Sequence, residues 1–169
     1  KDEEKKGQIH LSKVKNSSAD QPVDDILSTP KDKQSAEEIL KIGKDNRESG
    51  KLDINQILKR VDTYFEENQG EEAEKLMCSS LEQAVEEGDE AIQLQLLNEL
   101  LGYYREVSRK EALEQTAERA VALAKHMGLE GTLPYATTLL NVATGYRSCG
   151  KLQEAMGYYL QVQELYARL

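Results

Sequence analysis

The stretch Leu139-Leu-Asn-Val-Ala-Thr-Gly-Tyr146 repeats an earlier one, Leu96-Leu-Asn-Glu-Leu-Leu-Gly-Tyr103, at an offset of 43 residues. The same offset aligns Lys110-Glu-Ala112 with Gln153-Glu-Ala155. A fixed period of this size is typical of a solenoid, in which each repeat is one supersecondary unit stacked on its neighbour. Solenoids of paired helices usually bind other proteins, so the repeat indicates a class of function more readily than a particular partner.

A third, weaker copy lies upstream of these two. Each copy places a Tyr nine residues before an Ala, namely Tyr64 and Ala73, Tyr103 and Ala112, and Tyr146 and Ala155. The successive offsets are 39 and 43 residues. The chain therefore contains three repeats of unequal spacing.

Apolar residues recur at helical spacing in six segments. The predicted helices span about 54–68, 71–87, 90–106, 109–127, 133–148 and 152–168. Gly70, Gly88 and Gly150 separate neighbouring helices, and Pro134 suits the first turn of the fifth. Helices of about 15 residues joined by short turns pack as antiparallel pairs. We therefore expect an all-α solenoid of three antiparallel helix pairs over residues 54–169.

Two further segments are expected upstream of the repeats. Residues 1–34 are rich in Lys, Asp, Ser and Gln and lack a sustained apolar period, which predicts a flexible tail or linker. The alternative is a tether or partner-binding segment, with apolar anchors at Ile9, Leu11, Val14, Ile26 and Leu27. Within residues 35–53, the capping box Ser35-Ala-Glu-Glu38 predicts a short helix that ends near Asn46.

Charge is unevenly distributed along the chain. Residues 1–34 hold seven Lys and seven Asp or Glu, so residues 35–169 carry the whole net charge of −9. An acidic repeat region argues against nucleic acid as a partner, because phosphate binding requires an excess of Lys and Arg. It also argues against an anionic membrane surface. We therefore expect a protein or peptide partner.

The expected location of the protein is the cytoplasm. No apolar run approaches the length of about 18 residues that suggests a membrane span, and no apolar segment near the start resembles a signal peptide. Because the chain begins at Lys1 rather than Met, we also expect it to be a processed or truncated form.

The sequence contains no recognisable catalytic or metal-binding pattern. Its two His residues, His10 and His126, are far apart, and Cys78 and Cys149 have no metal-type neighbours. The Gly128-Leu-Glu-Gly131 segment suits a helix cap and a turn rather than a phosphate-binding loop. We therefore expect no enzymatic activity, no metal and no cofactor.

The third copy resembles a tetratricopeptide repeat (TPR). It carries the family's spacing of apolar, small, aromatic and Gly sites at Leu139, Val142, Ala143, Tyr146, Gly150, Ala155, Tyr159 and Val162. The other two copies match less well, since Val61 and Leu100 stand where a small residue is usual. The long period and the segment 128–143 are similar to the repeats of kinesin light chains and many bacterial TPR proteins. The resemblance covers about residues 54–169 and implies a TPR-like fold, which is a right-handed α-solenoid.

The resemblance also implies which residues would meet a partner. In TPR proteins the first helix of each pair lines a concave face, where an Asn often hydrogen-bonds the backbone of an extended peptide. Asn98 and Asn141 match that site in the second and third copies, whereas Lys59 replaces it in the first. The residues expected to bind a partner on this face are Lys59, Phe65, Asn98, Leu101, Tyr104, Arg105, Asn141, Thr144 and Arg147.

Different residue types on this face suit different contacts. An Asn amide both donates and accepts hydrogen bonds, so it can pair with the backbone of a bound peptide whatever side chains that peptide carries. Phe65 and Tyr104 are expected to be apolar anchors. Arg105 and Arg147 are expected to meet a carboxylate.

Two other interpretations of these residues stay open. Lys59, Asn98 and Arg105 partly imitate a set that clamps a C-terminal carboxylate in some TPR proteins, although the full pattern is missing. Alternatively, Asn98 and Asn141 only satisfy polar groups of neighbouring helices.

The predicted last helix, residues 152–168, carries apolar residues on more than one face. A terminal helix of a solenoid normally turns a polar face outward. We therefore expect that the array continues beyond Leu169 or that another chain covers this helix, for instance in a homo-oligomer.

The preferred function is an adaptor or scaffold module that binds an extended peptide or a partner helix in a concave groove. One alternative is a peptide-responsive regulatory sensor within a longer protein. The other is a self-association module.

Overall fold

The computed structural model describes residues 51–169, which form six α-helices. The helices are α1 Ile54–Glu66, α2 Gly70–Glu87, α3 Glu90–Glu106, α4 Lys110–His126, α5 Leu133–Ser148 and α6 Leu152–Arg168. Each predicted boundary lies within two residues of the observed one, so the six predicted helices are confirmed. The predicted tail, residues 1–34, and the short helix expected from Ser35 to Asn46 lie outside the described residues.

Consecutive helices pack against one another from α1 to α6, and α3 also packs against α5. The contact between α3 and α5 joins the first helices of two successive pairs, as in a stack of repeats. Leu96 and Leu139, which are equivalent in the repeat, are both completely buried. The first leucine of each repeated motif therefore belongs to the core of the stack.

Small residues allow the closest helix contacts. Ala143 and Ala155, which the sequence places at close-packing sites, are fully or almost fully buried. Gly145 in α5 faces Leu113 in α4, and a Cβ atom at residue 145 would lie only 3.0 Å from Leu113 Cδ2. Gly145 therefore lets α4 and α5 approach more closely than a larger residue would.

The two helices of each pair begin differently. A side-chain oxygen caps the N-terminus of each first helix, supplied by Asp53, Asp89 and Thr132. The second helices lack a side-chain cap. Each follows a tight turn in which one residue adopts the left-handed backbone conformation. The left-handed residues, with φ of 56°, 57° and 80°, are Asn68, Ser108 and Gly150. The turn within each pair is thus the same in all three repeats.

The unequal period arises mainly in one loop. Two residues, 88–89, separate α2 from α3, whereas six residues, 127–132, separate α4 from α5. Between the first residues of the second helices, Gly70, Lys110 and Leu152, the offsets are 40 and 42 residues. The four extra loop residues are partly offset because α4 and α5 are each one residue shorter than α2 and α3.

Candidate functional site

A cleft of about 670 Å³ opens between α3 and α5. We call it the α3–α5 cleft, and it is lined by Ala91, Leu94, Gln95, Asn98, Glu99, Gly102, Met127, Leu129, Pro134, Thr137, Thr138 and Asn141. Its volume lies within the range of ligand-binding pockets, about 300–1,000 Å³. Most of the lining comes from the first helices of the second and third repeats, which is where the sequence places a partner-binding face.

The long α4–α5 loop forms one wall of the α3–α5 cleft. Met127 and Leu129 come from this loop and pack half-buried against the core. Both side chains are apolar, and the unbranched Met adapts readily to differently shaped neighbours. The loop that lengthens the period thus builds part of the cleft.

A chain of hydrogen bonds links α3 and α5 at the cleft. Asn141 Nδ2 donates to Asn98 Oδ1 at 2.8 Å. Asn98 Nδ2 donates to Thr138 Oγ1 at 3.1 Å and to the Leu94 carbonyl at 3.0 Å. The fully buried Thr138 donates in turn to the Pro134 carbonyl at 3.0 Å. The network fixes the orientation of both amides, which stay half-exposed to the cleft.

A second hydrogen bond joins the C-terminal halves of α3 and α5. Arg105 Nη1 donates to Thr144 Oγ1 at 3.2 Å. Thr144 Oγ1 donates to the Asn141 carbonyl at 3.0 Å. Arg105 is exposed and a guanidinium carries five N–H donors, so most of its donors remain available to a partner.

Glu99 is the ionisable residue among those that line the α3–α5 cleft. The Glu99 side chain is accessible, but neighbouring protein atoms exclude part of its hydration shell. This desolvation raises the pKa of Glu99. The negative charge of Asp62 in α1 raises the pKa of Glu99 further. The cleft is therefore electronegative around Glu99.

Four of the predicted partner-binding residues are brought together in pairs. Asn98 bonds to Asn141, and Arg105 bonds to Thr144. The two Asn residues line the α3–α5 cleft, whereas Arg105 and Thr144 lie next to it along the same helices.

Three other predicted residues lie outside the α3–α5 cleft. Lys59 lies on α1 and lines a separate hollow. Phe65, which is 37% exposed, stacks on Tyr103 with ring centroids 5.8 Å apart. Arg147 is exposed in the last turn of α5. These residues do not share one pocket with the two amides.

Leu101 and Tyr104 require a correction, because they lie in the core rather than on a binding face. Leu101 is 1% exposed and Tyr104 is 7% exposed. The Tyr104 hydroxyl donates to Glu74 Oε1 at 3.0 Å, and burial raises the pKa of Tyr104. Helix α3 packs against α2, α4 and α5, so only a narrow strip of its surface stays accessible. Helical spacing alone does not reveal how many neighbours surround a helix.

Sequence reasoning missed Glu99, Met127 and Leu129 as lining residues of the cleft. The longer second offset was a usable signal for the loop residues, because extra residues before a first helix can lie beside the face of that helix. Glu99 had no such signal, because its environment depends on Asp62 in another repeat.

The cysteines are free and half-buried. Cys78 Sγ lies 4.0 Å from the Tyr104 hydroxyl, and burial raises the pKa of the Cys78 thiol, which favours its unreactive protonated form. Within residues 51–169, no group of His, Cys, Asp and Glu side chains is arranged to hold a metal ion. None of the helices in this part of the chain combines the length and the apolar character needed to cross a membrane.

A solved structure shares the fold of this chain. The crystal structure of BtubC (BKLC) from P. vanneervenii is similar to it with a TM-score of 0.65 and 21% sequence identity. The match covers 84% of this chain and 59% of BtubC, so the chain spans about three fifths of that protein's length. No protein-family model and no curated protein matches the sequence. The structural similarity and the six stacked helices together confirm the predicted all-α, TPR-like fold.

Proposed function

We propose that this chain is a protein-interaction module, an adaptor or scaffold, that binds an extended peptide or a partner helix in the α3–α5 cleft. The observation that carries the proposal is the pair of linked amides, Asn98 and Asn141, in a cleft with apolar walls. Amides pair with peptide backbones, and apolar walls accept a side chain. The cleft thus offers both kinds of contact that a peptide needs.

The amide pair keeps unused hydrogen-bonding capacity. Asn141 Nδ2 donates one N–H group to Asn98 Oδ1. The second N–H group of this amide and its side-chain oxygen, Oδ1, remain for a partner. Because the network already orients both amides, a peptide would bind without having to order them first. Preorganisation of this kind supports binding of a backbone rather than of one particular side chain.

We also propose that the repeats belong to the long-period group of TPR sequences found in kinesin light chains and their bacterial relatives. The 43-residue offset and the six-residue loop before α5 support this assignment. The structural similarity to BtubC is consistent with it.

Filling the α3–α5 cleft should weaken peptide binding. Gly102 lines the cleft, and a Cβ atom there would have no neighbour within 4 Å, so Gly102→Phe places a ring in the cleft without disturbing α3. Peptides would first be selected on the wild-type chain from a random phage-displayed library. Their affinity for Gly102→Phe, measured by fluorescence polarisation, should fall at least about tenfold, which corresponds to about 1.4 kcal/mol.

Gly157 in α6 provides the matched control for this substitution. It is also a helical Gly with open space around its Cβ position, and it lies outside the cleft. Gly157→Phe should therefore bind the selected peptides as the wild type does. Peptides that bind equally to Gly102→Phe and to the wild type would contradict the proposal, as would a selection that enriches no peptide.

A second candidate function is self-association through α6. In this helix only Ala155 and Val162 are buried. By contrast, Leu152, Met156 and Leu160 are 63%, 58% and 56% exposed. Apolar side chains at this spacing form a continuous stripe, and exposed stripes of this kind often mark interaction surfaces.

Comparison with α4 shows how the α6 stripe departs from the preceding repeat. Because α4 begins at Lys110 and α6 at Leu152, the buried Leu113 and Ala120 match the buried Ala155 and Val162. The exposed Met156 and Leu160 match Glu114 and Glu118, so α6 is apolar where α4 is charged. A helix from a second copy of the chain would bury this additional apolar surface.

Leu160→Lys should convert the self-associated chain into a monomer. A charged side chain within the stripe would have to be buried without a partner in the dimer. Sedimentation equilibrium of the full chain over a range of concentrations measures the change. Val85→Lys, at an exposed apolar residue of α2 that is 47% exposed, is the control and should leave association unchanged. A wild-type chain that stays strictly monomeric at high concentration would rule out this function.

A further inference from the structure

The lining of the α3–α5 cleft carries charge of one sign. Its loop wall, its amides and its threonines are uncharged, and Glu99 supplies the negative charge. Neither α5 nor the α4–α5 loop contributes an ionisable side chain to the lining. Asp62 in α1 adds a second negative charge that acts on Glu99. A ligand in the cleft therefore meets a negative potential that no lining cation offsets.

The charged form of Glu99 is held in an unfavourable environment. Desolvation and repulsion by Asp62 both disfavour its ionised form. A cation bound beside Glu99 would favour the charged form of this carboxylate and would compensate for both effects. Groups with perturbed ionisation in a cleft are common at functional sites, where a local cost to stability is tolerated for binding.

The basic residues of the same face lie away from Glu99. Arg105 is six residues further along α3, about 9 Å along the helix axis, and bonds to Thr144. Lys59 lines the separate hollow on α1, and Arg147 lies in the last turn of α5. None of these three is among the charges that shift the pKa of Glu99. Within residues 51–169, none of the charges that shift the pKa of Glu99 is positive, so a ligand can supply the positive charge beside it.

We propose that the α3–α5 cleft selects a peptide segment in which a Lys or Arg stands close to an apolar residue. The basic side chain pairs with Glu99, and the charge of Asp62 strengthens this attraction. The apolar side chain enters the space beside Met127 and Leu129. The backbone of the segment bonds to the amide pair. This inference rests on the proposed peptide-binding function and names the chemical class of its ligand.

The peptides selected from the random library test this inference directly. They should be enriched in Lys and Arg next to apolar residues. Their affinity should fall about tenfold on Glu99→Gln, because a charge-assisted hydrogen bond becomes a neutral one. Glu106→Gln is the matched control, since Glu106 is an exposed acid of α3 outside the lining, and it should leave the affinity unchanged.

Acidification provides a second readout, which a merely structural role of Glu99 would not produce. Protonation of Glu99 removes its charge, so peptide affinity should fall as the pH decreases through its raised pKa. The Glu99→Gln variant should lack this part of the pH dependence. The groups that act on Glu99 are Asp62 from α1 and the uncharged lining of α5 and the α4–α5 loop.

The outcomes separate this inference from the proposed function. Peptides that are blocked by Gly102→Phe but show no enrichment of Lys or Arg, or bind Glu99→Gln as well as the wild type, would overturn the inference and leave the peptide-binding function standing. A selection that yields no peptide sensitive to Gly102→Phe would overturn both.

Discussion

Leu113→Ala should lower the free energy of unfolding by about 3 kcal/mol. Leu113 is completely buried in α4, and its methyl groups pack on Gly145 in α5, where a Cβ atom would come within 3.0 Å. Truncation leaves a cavity, because the two helices already approach closely and have little room to collapse further. Chemical denaturation followed by circular dichroism would measure the loss.

Leu133→Ala is the matched control for this prediction. It removes the same atoms from a side chain that is 58% exposed at the start of α5. Its effect should be smaller than about 0.5 kcal/mol. Similar losses for the two variants would show that the close contact between α4 and α5 contributes little to the stability of the stack.

Asn98→Ala should lower the free energy of unfolding by about 2 kcal/mol. Its amide accepts from Asn141 and donates to Thr138 and to the Leu94 carbonyl. Removal of the amide leaves the half-buried Asn141 amide without its acceptor and the buried Thr138 hydroxyl without a donor. The same denaturation experiment would measure this loss, and fluorescence polarisation would show weaker binding of the selected peptides.

Asn141→Ala offers a comparison within the same network. It removes the bond to Asn98 but leaves the bonds of Asn98 to Thr138 and Leu94 in place, so the expected loss is only about 1 kcal/mol. The double variant should lose less stability than the sum of the two single variants, because both remove the same bond. Strictly additive losses would be inconsistent with a direct bond between the two amides.

The helices were predictable because their signals are local. Apolar spacing and punctuation by Gly or Pro placed every boundary within two residues. Gly150 and Asn68 are residue types that favour the left-handed conformation, whereas Ser108 adopts it without that signal. The turn at Ser108 follows from its equivalent position in the repeat rather than from residue type.

The candidate site was predictable only where the repeat itself marked it. The shared motif identified Asn98 and Asn141, which line one cleft. The same reasoning placed Leu101 and Tyr104 on the surface, although α3 lies between three other helices and buries both. The spacing of residues determines which side of a helix each side chain lies on, but burial depends on which other helices pack against that side.

Interactions between neighbouring residues were enough to determine the helices, the three repeats and the matched Asn pair. Contacts between distant residues decided the rest: the bond between Asn98 and Asn141, the loop wall of the cleft and the raised pKa of Glu99. The physical reason is that helix formation depends on groups three or four residues apart, whereas burial, hydrogen-bond partners and desolvation depend on elements that only packing brings together.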